Sequence, residues 1–154
     1  MTEPRWLDET EARVWRAYLD VRRDLSGTLS RRLTRDSGLT EADYALLVPL
    51  SEAPDGLLRA RELSVKADWE RSRLSHQITR MEKRGLVVRE ECPTDARGAM
   101  VRLTASGRAA IEAAAPAHVA AVRTYFFDAL SREEIELLDT LLRRVLDGLP
   151  QDRG

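Results

Sequence analysis

Residues 69–87, WERSRLSHQITRMEKRGLV, determine how the rest of the chain is interpreted. Three large apolar residues recur there at steps of four and three, which predicts a helix with one narrow buried stripe: Leu74, Ile78 and Met81. We expect this helix to begin at a cap formed by Asp68, to run to Arg84 and to stop at Gly85. Its outward side would present arginine and short polar side chains: Arg71, Ser72, Arg73, Ser75, His76, Gln77, Thr79 and Arg80.

The outward side of this predicted helix carries positive charge and no negative charge, because no acidic residue lies between Arg71 and Arg80. The alternative interpretation is an ordinary solvated face, but such faces usually mix glutamate with lysine. Arginine pairs with phosphate oxygens or guanine edges, and short polar groups bond to base edges in the major groove. We therefore favour a DNA-reading helix over a solvated face.

Three more helices are predicted on the N-terminal side of this segment. Two capping boxes indicate where the first two begin: Asp8-x-x-Glu11 and Thr40-x-x-Asp43. The first helix is long and amphipathic, and Gly38 is expected to end it. Pro49 lies inside the second helix and is expected to distort its C-terminal half. Residues 58–67 predict a short third helix.

A hairpin and a long helix are predicted on the C-terminal side. Residues 86–91 and 99–103 resemble two short strands, and residues 92–98 between them are rich in turn formers. An alanine-rich helix then covers residues 105 to about 130, and Pro116 is expected to kink it.

The last predicted helix begins at the capping box Ser131-x-x-Glu134. Its apolar residues alternate steps of three and four, a pattern that suits packing against another helix: Ile135, Leu138, Leu142, Val145 and Leu149. Four helices, a hairpin and two further helices are the elements of a winged helix-turn-helix. The predicted fold is therefore mainly α with a small two-stranded wing.

Length, charge and cysteine content exclude several classes of protein. The 154 residues suit one domain, or one domain with an oligomerisation element. Residues 56–108 hold twelve basic and seven acidic residues between acidic flanks, which is a candidate footprint for nucleic acid. A single cysteine, Cys92, excludes a disulfide framework and fits a reducing cytoplasm. Neither a membrane span nor a secretory signal is expected.

The predicted hairpin loop contains Asp95 and Arg97. An arginine at a loop tip can enter a minor groove, and a nearby aspartate can hold it by a charge-assisted hydrogen bond. This pair alone is a weak signal, because loops often hold both residues. Its context is more specific and resembles the wing signature of MarR-family transcriptional regulators: Asp95-x-Arg97-x-x-x-Val101-x-Leu103-Thr104-x-x-Gly107.

Residues 69–87 resemble the recognition helix of the same family, and the order of helices matches across nearly the whole chain. The resemblance implies a homodimer in which residues 1–36 and 104–150 interleave, while residues 37–103 form the winged helix-turn-helix. Each subunit would bind half of a pseudo-palindromic operator in double-stranded DNA. Most family members are repressors, and many are released by a small, often phenolic or anionic, ligand.

The resemblance also implies roles for individual residues. On the recognition helix, five would face bases or nearby phosphates: Arg73, Ser75, His76, Thr79 and Arg80. Arg71 and Ser72 complete the candidate set on that helix. Arg97 would be the wing-tip arginine, with Asp95 as its holder. Two residues depart from the family pattern, since Pro49 lies within the second helix and Glu70 adds an acid where the recognition helix begins.

A ligand site is harder to place from the sequence. Family pockets lie between the dimer helices and the winged helix, and five groups could contact a small aromatic or anionic ligand there: Trp15, Arg16, Tyr18, Tyr44 and Phe126. The alternative, which we favour, is that these aromatic side chains belong to the dimer core.

Other functions have less support. Cys92, His76 and His118 lack the spacing of metal ligands, so neither a metal nor a cofactor is expected. Cys92 could sense oxidants beside the wing, although a spectator thiol is the favoured alternative. Paired carboxylates, a Ser/His/Asp constellation and a phosphate-binding glycine loop are all missing, so an enzyme is not predicted. The main rival function is a winged-helix module that binds protein without selecting DNA.

Overall fold

The structure is a computed structural model that describes residues 2–150, and for residues 95–97 it describes the backbone alone. Its helices and strands follow one another in this order: α1 Glu9–Ser37, α2 Glu41–Glu52, β1 Leu57–Arg59, α3 Ala60–Ala67, α4 Arg71–Lys83, β2 Val87–Cys92, β3 Asp95–Leu103, α5 Ala105–Val122 and α6 Arg132–Asp147. A 3-10 turn at Pro54–Gly56 precedes β1, and a π-helical turn at Arg123–Phe127 follows α5. The mainly α, winged helix-turn-helix fold predicted from the sequence is confirmed.

The helix starts predicted from capping boxes are confirmed. At α1, α2 and α6 the capping side chain accepts a backbone N–H bond, and the acid three residues on accepts the return bond. Gly38 ends α1 with φ of 73°, a left-handed conformation that glycine adopts without steric cost. Local sequence therefore determines where these helices begin and where α1 ends.

The sheet contains a strand that the sequence analysis missed. Residues 57–59 were assigned in part to the third helix, but they form β1, which pairs antiparallel with β3. The strand order is β1-β3-β2. A three-residue strand has too short a pattern to be recognised, and its partner lies more than forty residues along the chain, at Met100–Arg102.

The hairpin is tighter than predicted. Residues 92–98 were expected to form a loop, but β2 runs to Cys92 and β3 already begins at Asp95. A register irregularity between Glu91 and Cys92 accommodates the short connection. The backbone of Asp95 and Arg97 therefore belongs to β3 rather than to a loop, and their side chains lie outside the described part of the chain.

Asp68 does not cap α4, contrary to the prediction. It ends α3 in a left-handed conformation with φ of 55°, and its N–H donates to the carbonyl of Val65. Aspartate tolerates this conformation better than most residues. Glu70 occupies the cap position of α4 and makes no side-chain capping bond.

Both helices that contain a proline continue past it. α2 continues past Pro49 to Glu52, because the Pro49 carbonyl still accepts the Ala53 N–H at 3.1 Å. α5 remains α-helical through Pro116 to Val122. The irregular segment lies beyond it, in the π-helical turn, and so the α-helix ends before the predicted residue 130.

A close approach between α5 and the end of α4 explains part of the wing motif. The Thr104 hydroxyl donates to the Gly85 carbonyl at 2.5 Å and accepts the Gly107 N–H at 3.0 Å. A Cβ atom at Gly107 would lie 2.0 Å from the Leu86 carbonyl oxygen, so only glycine fits without a backbone shift. The start of α5 is thereby fixed against the turn that leads from α4 into the wing.

Most of the hydrophobic core lies within the winged helix-turn-helix, and α1 and α5 add Leu33, Ile111 and Ala114. Its fully buried large residues come from α2, α3, α4 and the sheet: Leu46, Leu47, Leu50, Leu63, Ile78, Met81, Val87 and Val101. By contrast, α6 has no buried residue and α1 has only Leu33. Within residues 2–150, no helix is both long and apolar enough to cross a membrane.

Candidate nucleic-acid interface

The outward side of α4 carries the seven residues that the sequence singled out on this helix. All seven are exposed, while Leu74, Ile78 and Met81 face the core: Arg71, Ser72, Arg73, Ser75, His76, Thr79 and Arg80. The exposed face therefore has the predicted composition of arginine, hydroxyl and imidazole groups without an acid.

Gln77 was predicted to lie on this outward face, and that prediction is wrong. Its side chain is 8% exposed, and its amide nitrogen donates to Asp43 Oδ1 at 2.7 Å. Gln77 lies three residues after Leu74 and four before Met81, so helical geometry places it on the buried stripe. That spacing was visible in the sequence, but the polar side chain suggested solvent.

Arg73 is held in place by an aromatic ring that the sequence analysis did not connect with it. The guanidinium carbon lies 3.9 Å from the centre of the Trp69 ring, and Trp69 packs against the core. A guanidinium stacked on an aromatic face is worth about 0.5–1 kcal/mol at an exposed site. The stack limits the positions of Arg73 before any ligand arrives.

Arg89 of β2 holds the recognition helix from the wing side and was also missed. Its guanidinium donates to the Ser75 carbonyl at 2.7 Å and to the Thr79 hydroxyl at 3.1 Å, and it pairs with Glu82. The same nitrogen lies 3.2 Å from the Ser75 hydroxyl. The Thr79 hydroxyl also donates to the Ser75 carbonyl at 3.0 Å, so it is bonded to both Ser75 and Arg89.

The strands of the wing are joined by a second ion pair. Arg102 of β3 donates two hydrogen bonds to the Glu90 carboxylate of β2. These bonds and the positive charge of Arg102 lower the pKa of Glu90, so the carboxylate is charged at neutral pH. The roles predicted for Asp95 and Arg97 involve side chains outside the described set and stay predictions.

A basic cleft of about 400 Å³ lies between α4 and the wing. Its floor is apolar, with Leu74, Ile78 and Val101, and its polar lining includes four arginines: Arg59, Arg61, Arg71 and Arg89. Guanidinium groups form paired hydrogen bonds with phosphate oxygens. The cleft therefore extends the positive surface of α4 toward the wing.

The five residues proposed for a ligand do not meet in one place in the described chain. Trp15 stacks on Tyr18 at 5.4 Å between ring centres, Tyr44 lies 4.4 Å from the His118 ring, and Phe126 contacts its neighbour Phe127. Burial raises the pKa of Tyr44, so its phenol stays protonated at neutral pH. A cavity between α1 and α5 has about 20 Å³, which is room for about one water molecule. The ligand site stays a prediction.

Cys92 is buried at the end of β2, with its sulfur 3.4 Å from the Thr94 hydroxyl. Among the residues that the structure describes, no group of three or more histidine, cysteine, aspartate or glutamate side chains could hold a metal ion.

The fold and the exposed basic helix define the class of protein. It is a winged helix-turn-helix protein with the features of a DNA-binding protein. A MarR family model matches residues 37–98. The MarR family regulator Sco3205 of Streptomyces coelicolor, solved in complex with DNA, is 43% identical, with a TM-score of 0.93 over 100% of this chain and 96% of that one.

Two further relatives are also transcriptional regulators. The MarR family regulator AbsC of Streptomyces coelicolor is 42% identical, with a TM-score of 0.89 over 94% of this chain and 97% of that chain. The transcriptional regulator HosA of Escherichia coli O111:H- is 35% identical over 110 residues, 71% of this chain and 79% of HosA. The chain belongs to the MarR family of transcriptional regulators.

Proposed function

We propose that the chain is a homodimeric repressor that binds a pseudo-palindromic operator, with one α4 helix in the major groove of each half-site. The observation that carries the proposal is the exposed, acid-free face of α4, fixed by Trp69 on one side and Arg89 on the other. Side chains that are already oriented lose less conformational entropy when they bind. The complex of the relative Sco3205 with DNA supports this function for the present chain.

The flanking helices support a homodimer. α1 and α6 expose large apolar side chains, including Trp15, Leu142 and Val145, the last of which is 63% exposed in the single chain. Contiguous apolar surface of this kind marks a protein interface. The apolar repeat of α6 suits pairing with a second helix, and in the proposed dimer α1, α5 and α6 contribute the contacts.

The proposal gives the wing and the cleft supporting roles. The backbone of residues 95–97 lies at the start of β3, where Arg97 would reach a neighbouring minor groove with Asp95 as its holder. Arg59, Arg61 and Arg71 of the cleft would bind backbone phosphates, and such contacts position a protein without selecting sequence. Release by a small aromatic or anionic ligand belongs to the same proposal, with Tyr44 as the partly buried candidate contact.

The experiment that tests the function is selection of binding sites from a random duplex library by the purified chain at physiological salt. We expect enrichment of a pseudo-palindrome of roughly 16–20 base pairs, because two α4 helices would read adjacent major grooves. We also expect a duplex that contains only one half-site to lose binding. If no sequence is enriched, the chain does not read DNA specifically, and the rival function of a protein-binding module gains support.

A further inference from the structure

A buried carboxylate connects the recognition helix to the end of the first flanking helix. Asp43 is 1% exposed, and its Oδ2 atom accepts the Thr40 N–H at 2.8 Å and a guanidinium N–H of Arg84 at 2.6 Å. Its Oδ1 atom accepts the Gln77 amide N–H at 2.7 Å. Arg84 also donates to the Gly38 carbonyl at 3.1 Å. We call these five residues the Asp43 junction.

The members of the Asp43 junction come from three parts of the fold. Gly38 ends α1, and Thr40 caps the start of α2. Gln77 lies in the middle of α4, next to His76 of the outward face, and Arg84 directly follows the last residue of α4. One carboxylate thus joins the recognition helix at two points to the segment where α1 passes into α2.

Helix capping alone does not account for this arrangement. The capping boxes at α1 and α6 use Glu11 and Glu134 in the same way, and both side chains are exposed. Asp43 makes the same capping bond, but it also accepts hydrogen bonds from the Gln77 amide of α4 and from the guanidinium of Arg84, just after α4. A buried charge is costly unless it is paired, so these two extra partners fix one arrangement.

The other contacts on the inner side of α4 are apolar, since Leu74, Ile78 and Met81 pack in the core. Apolar burial is non-directional, so it permits small rotations and translations of a helix. Hydrogen bonds to a carboxylate have preferred lengths and angles. The junction therefore supplies directional restraint on the side of α4 that faces α1 and α2, while Arg89 supplies it from the wing.

We propose that Asp43 is a positioning residue that sets the orientation of α4 relative to α1, and thereby the separation of the two recognition helices in the dimer. The inference rests on the proposed function, because only a dimer has such a separation. It assigns to Asp43, Gln77 and Arg84 a role in choosing the spacing of half-sites, although none of them would touch a base.

The test uses Gln77→Met, which replaces the buried amide by an apolar side chain of similar size, and Arg84→Met, with Arg84→Lys as the conservative rescue. Glu134→Gln is the matched control, because it neutralises a capping acid whose hydrogen bond is made to Ser131 at the start of α6. Each full-length variant is first checked for its melting temperature and its sedimentation as a dimer.

Two readouts separate positioning from general stability. In the first, duplexes carry the selected half-sites at the native spacing and at spacings one or two base pairs longer or shorter. We expect Gln77→Met and Arg84→Met to lose at least tenfold of the preference for the native spacing, while affinity for unrelated DNA changes by less than threefold. Arg84→Lys should recover part of the preference, and Glu134→Gln should keep all of it.

The second readout needs no DNA. A spin label at Ser72→Cys, in a Cys92→Ser background, reports the distance between the two α4 helices of the free dimer. We expect one narrow distance distribution for the parent protein and a broad one after Gln77→Met. Lower melting temperatures with unchanged spacing preference and unchanged distances would overturn the proposal and leave Asp43 a purely structural residue.

The remaining outcomes distinguish the inference from the proposed function. If the parent protein selects no DNA but Gln77→Met still broadens the distance distribution, the proposed function fails and the positioning role stands. If the parent protein sediments as a monomer, no separation exists to be set, and both are overturned.

Discussion

Replacing Arg73 by alanine should weaken binding to the selected operator far more than binding to unrelated DNA. Arg73 is exposed on α4 and stacked on Trp69, with 3.9 Å between the guanidinium carbon and the ring centre. An arginine that contacts a guanine edge contributes about 1–3 kcal/mol to specific binding. Two half-sites would double this to about 2–6 kcal/mol for the dimer if the contacts are additive.

The assay is fluorescence anisotropy titration of the selected duplex and of a scrambled duplex, over a series of salt concentrations. For the scrambled duplex we expect only the loss of a general charge contribution. Arg23→Ala is the matched control, because it also removes one exposed positive charge, from α1, where Arg23 pairs with Asp20 and Asp24. Its effect on both duplexes should stay within about twofold, since exposed ion pairs contribute little.

Two results would refute this reasoning. Equal losses on the two duplexes, together with a salt slope reduced by about one unit per contact, would place Arg73 on phosphate rather than on a base. Unchanged affinity for both duplexes would remove Arg73 from the interface altogether. Trp69→Leu offers a further check, because loss of the stack should weaken specific binding by about 0.5–1 kcal/mol per half-site with no charge removed.

Four other substitutions test separate parts of the account. Gly107→Ala should lower the free energy of unfolding by about 1–3 kcal/mol, measured by thermal unfolding, because the new Cβ would lie 2.0 Å from a carbonyl oxygen. Leu142→Glu should convert the proposed dimer into monomers in sedimentation experiments, because it places a charge on the apolar face of α6. Arg89→Gln should change the bases selected next to Ser75 while leaving the salt slope nearly unchanged, because Arg89 orients α4 from the wing. Glu90→Gln should destabilise the wing fully above the ordinary glutamate pKa of 4.5 and progressively less below it, because pairing lowers the pKa of Glu90 and its contribution is lost as pH falls through that lowered value.

Each of these predictions has a result that contradicts it. A stable Gly107→Ala protein would mean that α5 does not approach the wing turn so closely; Gly148→Ala, where the nearest atom is 3.5 Å away, is the control. A Leu142→Glu dimer would move the interface away from α6. An unaltered selected site after Arg89→Gln would show that Ser75 needs no support from the wing. A constant stability difference for Glu90→Gln from pH 3 to pH 7 would exclude the ion pair as its cause.

Local sequence predicted the helices well, since their limits depend on short-range chemistry. The capping boxes at Asp8, Thr40 and Ser131 each satisfy backbone N–H groups within three residues. The left-handed end of α1 needs only Gly38. The outward face of α4 was also predictable, because apolar residues at steps of three and four determine which side is buried.

Asp68 and the hairpin are local errors, but the other errors fall where partners are distant in sequence. β1 is stabilised by pairing with β3, and a strand of three residues leaves no readable pattern. The spacing along α4 places Gln77 on the buried side, but its partner is a carboxylate 34 positions earlier that accepts a hydrogen bond from its amide. Arg89 contacts Ser75 and Thr79 from another element. Contacts of this kind depend on the tertiary fold, and spacing along one helix does not reveal them.

Methylation interference on the selected operator tests most directly that α4 reads the major groove of two half-sites. Methylation of guanine N7 blocks hydrogen bonds in the major groove, whereas methylation of adenine N3 affects the minor groove. We expect two clusters of N7 interference centred about 10–11 base pairs apart, one for each α4 of the proposed dimer. Interference confined to adenine N3, or a single N7 cluster, would contradict this expectation.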